Sequence, residues 1–339
     1  MVMAAPLIAI YGATGHTGRL VAAELLSRGQ DIVLAGRNDA ALRAMADELG
    51  SRAFLAPLDD PAALRELAGS AAVLIHCAGP FSVTGAPVAS AAAEAGCHYI
   101  DHAVEPHHVK HVFETFQEPA RRTGAIMIPA LSFYGGLGDL LTAAVTEGMT
   151  GIDRVTIAYA VTGWQLTTGA LNTARQLFAE TERITFSEGA LHVGYVEPRN
   201  TVFPFPPPLG PRTMITPIPF PESVTVPRHV PTRQVETMLT ARTFEEERVF
   251  DSEDADAETR AQTDFTIAVQ AIAGHGGRAG QLSGHDLWRA GALASVEAAV
   301  RLIGGAAPAK GGVLSPGEAF PAEPFLRALE RLGAFTITL

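Results

Sequence analysis

A short apolar run near the first residues of the chain passes through three spaced glycines into an alanine-rich segment. The apolar run is Leu7 to Tyr11, and the glycines are Gly12, Gly15 and Gly18. A strand that turns into a helix in this way brings backbone N–H groups and the positive helix end together, which suits a pyrophosphate. An ordinary strand, turn and helix that contain glycines by chance are the alternative. We predict a dinucleotide-binding turn made of Gly12, Ala13, Thr14, Gly15, His16, Thr17 and Gly18.

Each of these glycines has a separate predicted role. Gly12 permits the sharp exit from the strand, Gly15 lets the phosphates approach the backbone, and Gly18 lets the helix pack closely on the strand. A second apolar run at residues 31–35 follows at the distance expected for a βαβ unit. This context favours the nucleotide-binding interpretation over the accidental one.

The residues after the second strand indicate which nicotinamide nucleotide is bound. An NAD site usually has Asp or Glu here, whereas this chain has Arg37 and Asn38. A guanidinium matches a ribose 2′-phosphate through charge-assisted hydrogen bonds and can stack on adenine. The sequence therefore predicts NADP(H), with an unrelated surface arginine as the alternative. Asp39 is interpreted as the N-cap of the helix that follows.

Composition excludes several classes of function. The chain has 339 residues and a formal net charge of −11, which argues against nucleic acid and anionic membranes as partners. Neither a membrane-spanning run nor a secretory signal is visible, so we expect a cytoplasmic protein. Cys77 and Cys97 fit neither a disulfide framework nor a zinc motif. We predict no metal site, although five histidines cluster at positions 98, 102, 107, 108 and 111.

Strand and helix patterns alternate through the first 130 residues, which predicts a doubly wound parallel sheet, a Rossmann domain. Strands in succession after Pro129 predict an inserted α+β domain with a mixed sheet. The predicted domains are residues 1–130, 131–285, and a helix and tail, 286–339, that pack back on the first domain. The proline-rich stretch 197–231 is expected to lack regular structure and to form a cover or a surface loop.

The turn after the fourth predicted strand is expected to face the nicotinamide, since strand carboxyl ends line the ligand crevice of such sheets. Its residues are Cys77, Ala78, Gly79 and Pro80. A purely structural turn is the alternative. Asp59 is a weaker candidate for the adenine side, and a helix-capping role for Asp59 or Asp60 is an equal alternative.

Candidate catalytic residues follow the fifth and sixth strands. Tyr134 is the first candidate for a proton donor to an imine nitrogen or an enolate oxygen, and His102 is the second. A tyrosine at a domain junction and a hydrogen-bonded structural histidine are their respective alternatives. The N–H groups of Gly135 and Gly136 could instead bind an anionic substrate group.

Two internal segments and the tail carry a family resemblance. The segments Cys77-Ala78-Gly79-Pro80-Phe81 and Tyr99-Ile100-Asp101, with the tail segments Gly311 to Phe320 and Phe325 to Phe335, resemble the saccharopine dehydrogenase-like family, which includes saccharopine reductases and trans-acting enoyl reductases. Val104-Glu105 stands where Gly-Glu is usual in that family. The resemblance implies a Rossmann domain with an inserted α+β domain, a homodimer, and an NADPH-dependent reductase of a C=N or C=C bond in a small or carrier-linked substrate.

Two other classes were considered. The segment Gly12 to Gly18 also resembles NmrA-like sensor proteins, so a non-catalytic NADP-binding regulator is the alternative function. A short-chain carbonyl reductase is disfavoured because the chain lacks the expected Tyr-Xaa-Xaa-Xaa-Lys pair.

Overall fold

The computed structural model describes residues 6–245, 249–251, 256–308 and 311–339. The chain divides into two compact units. Unit 1 contains the described residues within 1–103, 107–132 and 291–314, and unit 2 contains those within 104–106, 133–290 and 315–339. None of the helices in the described ranges combines the length and apolar character needed to cross a bilayer.

The strands and helices are numbered in chain order. The strands are β1 (Ile8–Tyr11), β2 (Ile32–Gly36), β3 (Arg52–Leu55), β4 (Val73–His76), β5 (His98–Asp101), β6 (Ile126–Ile128), β7 (Ile152–Thr162), β8 (Arg183–Ser187), β9 (Ala190–Gly194), β10 (Arg199–Pro204), β11 (Pro211–Thr216), β12 (Thr232–Thr240), β13 (Asp264–Ala273), β14 (Gly276–His285), β15 (Gly312–Val313) and β16 (Thr336–Thr338). The helices are α1 (His16–Ser27), α2 (Asp39–Leu49), α3 (Pro61–Ser70), α4 (Phe81–Ala95), α5 (Pro106–Thr123), α6 (Gly138–Thr146), α7 (Thr168–Ala179), α8 (Glu222–Thr225), α9 (Arg242–Glu245), α10 (Ala257–Ala261), α11 (Leu287–Ile303), α12 (Pro316–Ala319) and α13 (Ala322–Arg331). Shorter helical turns cover Phe133–Leu137, Val226–Arg228 and Val249–Asp251.

Unit 1 is built on a parallel sheet with the strand order β15-β6-β5-β4-β1-β2-β3. Every residue of β1, β2 and β4 is buried, as expected for strands covered on both faces. The order reverses between β1 and β4, and ligands of doubly wound sheets bind beyond the carboxyl ends of the strands at such a point. The predicted Rossmann fold is confirmed.

The helix starts of unit 1 show one correction. Asn38, not Asp39, is the N-cap of α2, because its side-chain oxygen accepts a hydrogen bond from the Ala41 N–H at 3.1 Å. Asp39 is the first helical residue and pairs with Arg43. Asp60 caps α3 by accepting from the Ala62 and Ala63 N–H groups. An oxygen placed before the first turn satisfies amides that have no partner within the helix.

Unit 2 is built on a mixed sheet with the order β10-β11-β12-β7-β13-β14-β16, while β8 and β9 branch from β12. The central strand β7 pairs in parallel with β12 and antiparallel with β13. The mixed sheet predicted from successive strands is therefore confirmed.

The expectation of irregular structure in the proline-rich stretch was wrong in part. Strands β10 and β11 pair antiparallel there, from Arg199 opposite Thr216 to Pro204 opposite Pro211. These two prolines lie at the last pair of the ladder, next to the loop. Proline is tolerated at a strand end because no ladder hydrogen bond is lost there.

The tail divides between the two units and does not pack as one piece on the first. β15 extends the parallel sheet beside β6, and the Leu314 N–H donates to the Met127 carbonyl. Residues 315–339 belong to unit 2, where β16 pairs with β14. The change occurs at Ser315, whose side chain and Glu318 form a reciprocal N-terminal cap that starts α12.

Candidate functional site

The turn after β1 has a backbone that only glycine fits well. Gly12 has φ +80°, and a Cβ added to it would lie 2.7 Å from the Ala78 Cβ. A Cβ on Gly18 would lie 2.4 Å from the Gly12 carbonyl oxygen and 2.7 Å from the Ala13 Cα. Gly12 and Gly18 therefore let the turn after β1, the start of α1 and the turn after β4 pack closely.

Gly15 is glycine for a different reason. It is the exposed N-cap of α1, and an added Cβ would meet only the Gly12 carbonyl oxygen, at 3.4 Å. As a glycine, Gly15 has no side chain with which to cap α1, so the N–H groups of the first turn are directed toward any ligand there. Thr14, His16 and Thr17 are half-buried around the same turn. This open cradle of amides fits a dinucleotide diphosphate.

Arg37 follows β2 and is exposed. Among the residues that the structure describes, no hydrogen bond or ion pair engages its guanidinium. The Asn38 side-chain oxygen is already used as the cap of α2. Asp59 is exposed, and the capping role falls to Asp60. Arg37 is therefore available to an anionic ligand group, whereas Asn38 has a structural use for its oxygen.

The turn Cys77 to Pro80 is half-buried and lies against the first glycine turn through the contact of Ala78 with Gly12. The Gly79–Pro80 peptide bond is cis, and Pro80 is the N-cap of α4. The Thr84 hydroxyl donates to the carbonyls of Ala78 and Pro80. Both cysteines are free thiols. The turns after β1 and β4 are thus brought together, as the predicted nucleotide site requires.

A buried acid and a histidine, which we did not predict as site residues, brace the same edge of unit 1. The Asp101 carboxylate accepts from the Ala103 N–H at 3.0 Å, the Ala130 N–H at 2.7 Å and the His108 Nε2 at 2.9 Å. Burial alone would raise the pKa of Asp101, but His108 and these hydrogen bonds more than offset it and lower the pKa. Gly85 makes room for the ring, since a Cβ there would lie 2.2 Å from the His108 Cε1. The Tyr-Ile-Asp pattern with a histidine seven residues later was the available signal.

His102 has a partner in unit 1. Its Nε2 lies 2.9 Å from the Ser295 hydroxyl, which itself donates to the Ala292 carbonyl. Burial lowers the pKa of His102 to about 4, against the nearby Asp101 carboxylate, which raises it. His102 is therefore neutral near pH 7.

Other members of the histidine cluster also have separate partners. The His98 Nδ1 accepts from the Ile126 N–H, and His111 contacts Thr115. Within the described ranges, no three His, Cys, Asp or Glu side chains converge as metal ligands would.

Tyr134 lies in an aromatic cluster of unit 2. Its ring stacks on Phe220 with centroids 4.6 Å apart, and it contacts Phe133, Tyr159 and Trp164 at 4.8, 5.0 and 5.3 Å. Burial, followed by the Glu222 carboxylate, raises the pKa of Tyr134 well above 10. The phenol therefore keeps its proton at neutral pH.

Glu222, which the sequence interpretation missed, is fully buried beside this cluster. Its Oε1 accepts hydrogen bonds from the Tyr159 hydroxyl and from the Gly135 N–H, the latter at 3.2 Å. Anion binding through the Gly135 amide was an alternative role for this turn, but the chain's own Glu222 carboxyl group occupies that N–H. Burial raises the pKa of Glu222 to about 7, although the Tyr159 hydrogen bond lowers it. The only local signal was an acid within a proline-rich, apolar stretch.

A second buried acid of unit 2 joins three segments. Asp139 of α6 contacts the His229 Nε2 at 2.9 Å and accepts from the Gly317 N–H at 2.7 Å. Burial alone would lower the pKa of His229, but Asp139 outweighs it and raises the pKa. A Cβ on Gly317 would lie 2.7 Å from the His229 ring, which explains the glycine.

Comparison with known proteins agrees with the geometry of unit 1. Residues 8–128 match the family model of the saccharopine dehydrogenase NADP binding domain. A trans-acting enoyl reductase of Mycobacterium ulcerans is 36% identical over 140 residues, which cover 39% of this chain and 34% of that protein. A probable mitochondrial saccharopine dehydrogenase-like oxidoreductase of Arabidopsis thaliana is 33% identical over 140 residues, which cover 37% of this chain and 31% of that protein. The chain thus matches about a third of the length of these relatives.

Solved structures share the fold over nearly the whole chain. Saccharopine dehydrogenase (L-Glu forming) of Saccharomyces cerevisiae superposes with a TM-score of 0.65 at 10% identity, covering 98% of this chain and 99% of that one. An amine dehydrogenase of Mycobacterium smegmatis superposes with a TM-score of 0.52 at 12% identity, covering 94% of this chain and 96% of that one. These structures show the fold, whereas the family-model match over residues 8–128 confirms the predicted NADP(H)-binding domain and its similarity to that of saccharopine dehydrogenases.

Proposed function

We propose that this chain, whose residues 8–128 are a saccharopine dehydrogenase-type NADP-binding domain, is an NADPH-dependent reductase of a C=N or C=C bond. The substrate would be a small metabolite or a carrier-linked intermediate. The observation that carries this proposal is the cradle at the start of α1, where Gly15 leaves the helix amides open and Arg37 is without a protein partner in the described residues.

The residues of unit 1 have distinct roles toward NADPH. The amides of the first turn of α1 would hold the diphosphate, since the Ala13 and Gly15 N–H groups already donate to the Ala35 and Gly12 carbonyls, and Arg37 would hold the 2′-phosphate. The turn from Cys77 to Pro80 would flank the nicotinamide, which supplies the hydride when the cofactor is bound. Asp59 is retained as a candidate on the adenine side.

We assign the proton of the reduction to Tyr134. The phenol is protonated at neutral pH, as a donor requires, while burial and then the Glu222 carboxylate raise its pKa and so make release of that proton depend on its surroundings. His102 is a weaker candidate for this role, because its lowered pKa leaves the ring neutral and its Nε2 is paired with Ser295. A neutral imidazole can still orient a substrate by hydrogen bonding.

The decisive experiment follows NADPH absorbance with cyclic imines, with 2-oxo acid and amine pairs, and with α,β-unsaturated acyl thioesters. Consumption with one of these classes, strongly reduced in Tyr134→Phe, is the expected result. NADPH binding without turnover of any class would favour the non-catalytic regulator. Consumption that survives Tyr134→Phe and falls in His102→Ala would transfer the donor role to His102.

We also propose that the protein is a homodimer that associates through unit 2. Leu191 and Val193 of β9, then Tyr195, and Val202 of the sheet-edge strand β10 are exposed apolar side chains, with Tyr195 74% accessible. Strands with exposed apolar side chains at a sheet edge favour pairing with another chain. Sedimentation velocity should give a dimer that Tyr195→Lys combined with Val202→Lys converts to monomer. A monomeric wild-type chain at micromolar concentration would contradict the proposal.

A further inference from the structure

The environment of Glu222 in unit 2 is unusual for a carboxylate with a purely structural role. The side chain is fully buried, and its Oε1 already receives two hydrogen bonds. Within the described residues, its Oε2 has no hydrogen-bond partner. Burying a carboxylate oxygen without a donor is costly when the group is charged, so the site favours a proton on Glu222.

The surrounding backbone is shaped to admit this carboxyl group. A Cβ on Gly138 would lie 2.4 Å from the Glu222 Oε1 and 2.4 Å from the Tyr159 hydroxyl. Gly135 has φ +88°, and its N–H donates to the same Oε1. The peptide that carries this N–H joins Tyr134 to Gly135. The carboxyl group therefore holds the turn that carries the Tyr134 side chain.

We propose that Glu222 is a positioning residue for Tyr134: it fixes the Tyr134–Gly135 turn, and its charge state sets how readily Tyr134 releases its proton. This role rests on the proposed function, in which Tyr134 supplies the proton to the reduced bond. Ionised Glu222 opposes the formation of a second negative charge on the nearby phenol, whereas neutral Glu222 does not.

The other titratable groups near Glu222 define its pH response. Asp139 of α6 raises the pKa of Glu222 and is itself paired with His229, whereas the Tyr159 hydrogen bond lowers it. Charged side chains on the remaining elements packed against α8 are exposed or have partners elsewhere: Arg183 donates to Pro217, Arg228 pairs with Glu318, Glu236 pairs with Arg199, and Arg233 is exposed. Burial of Glu222 raises its pKa to about 7, which supports a change of charge near neutral pH.

The test compares reductive kcat between about pH 6 and pH 8 in the wild type and in Glu222→Gln. Glutamine keeps an acceptor oxygen for Gly135 and Tyr159 but cannot ionise. The ratio of variant to wild-type kcat should rise about three- to tenfold with pH, because only the wild type acquires the opposing charge. The KM for NADPH should not change. Glu147→Gln, which removes an exposed carboxyl group of unit 2, should give a constant ratio.

A second variant keeps the inference testable if Glu222→Gln does not fold. Tyr159→Phe removes a hydrogen-bond donor that lowers the pKa of Glu222, so Glu222 should ionise at a higher pH. The pH at which kcat declines should therefore move to a higher value than in the wild type. A pH-independent ratio for folded Glu222→Gln in an active enzyme, or an unmoved midpoint in Tyr159→Phe, overturns this role alone. Absence of turnover by the wild type with every substrate class contradicts the proposed function and this role together.

Discussion

At the scale of single residues, the glycines of the first turn illustrate two separate demands on the same short motif. Gly18 is required by protein atoms, because a Cβ there would collide with the backbone of Gly12 and Ala13. Gly15 faces almost no protein atom, so the absence of its side chain benefits a ligand. Substitution can separate stability from binding at these positions.

Gly15→Ala should weaken NADPH binding by about tenfold or more, equivalent to roughly 1.4 kcal/mol, with little change in Tm. Its φ of −74° suits alanine, so the fold should tolerate the change. Gly18→Ala should instead lower the free energy of unfolding by roughly 1–3 kcal/mol through overpacking. Calorimetric titration with NADPH measures the change in affinity, and thermal melts measure the change in stability of each variant. Equal losses of stability in Gly15→Ala and Gly18→Ala would contradict the separate roles of the two glycines.

Arg37→Gln should raise the Kd for NADPH by about tenfold to a hundredfold and leave the Kd for NADH nearly unchanged. The reason is that only NADPH presents a 2′-phosphate to the guanidinium. Arg65→Gln, which removes an exposed arginine of α3, is the control and should change neither Kd. Equal effects on both nucleotides would remove Arg37 from the specificity site.

Glu222 should make stability depend on pH in a defined direction. Its folded-state pKa is raised from 4.5 to about 7, so the folded chain binds more protons than the unfolded chain between these values. Stability attributable to Glu222 is full below about pH 4.5 and declines as pH rises to about 7, by roughly 3 kcal/mol in total. Because buried His102 and His76 have lowered pKa values and contribute in the opposite direction in both proteins, the test is the difference in the free energy of unfolding between wild type and Glu222→Gln. Denaturant titrations should show this difference falling by that amount from about pH 4.5 to pH 7, and a constant difference would contradict the argument.

At the scale of elements, α6 is tied to two later segments of unit 2 by one carboxylate. Asp139 binds His229, after the turn Val226–Arg228, and the N–H of Gly317 in α12. Asp139 is completely buried. A buried ion pair that loses one partner usually costs several kcal/mol, because the other group stays buried without compensation.

Asp139→Asn should therefore lower the free energy of unfolding by about 3 kcal/mol near pH 6. The Asp139–His229 pair contributes fully to the free energy of unfolding below the pKa of His229 in the unfolded chain, near 6.5. This contribution is lost as the pH rises through the raised pKa of His229 in the folded chain. The cost of Asp139→Asn should accordingly be smaller at pH 9 than at pH 6. Urea titrations at both values provide the measurement, and a larger cost at pH 9 would contradict the charge argument.

Elements were predicted unevenly along the chain. The first two strands, predicted at residues 7–11 and 31–35, begin and end within one residue of those bounds, because each is an apolar run next to a helix pattern. The hairpin of β10 and β11 was missed because its prolines are typical of loops, although they lie at the end of its ladder. The break in the tail at Ser315 was also missed, since it depends on partners such as Met127 and Asp139 that are distant in sequence.

At the scale of the whole molecule, ligand binding should be visible as added stability. NADPH at a hundredfold excess over its Kd should stabilise the folded chain by about 2.7 kcal/mol, since the unfolded chain does not bind it. NADH at the same concentration should give a smaller increase in Tm, and Arg37→Gln should remove the difference between the two nucleotides. Differential scanning calorimetry measures this, and identical shifts for both nucleotides in the wild type would contradict the NADP preference.

The sequence by itself determined the features that depend on neighbours a few residues apart. These are the strand, glycine turn and helix at residues 7–26, the arginine after β2, and the alternation that requires a parallel sheet. Tertiary structure alone decided which distant groups meet. Glu222 lies 63 residues from Tyr159 and 87 from Gly135, and His229 lies 90 from Asp139. Such pairs form only when separate segments pack together, and the pKa values that make them chemically interesting arise from that burial.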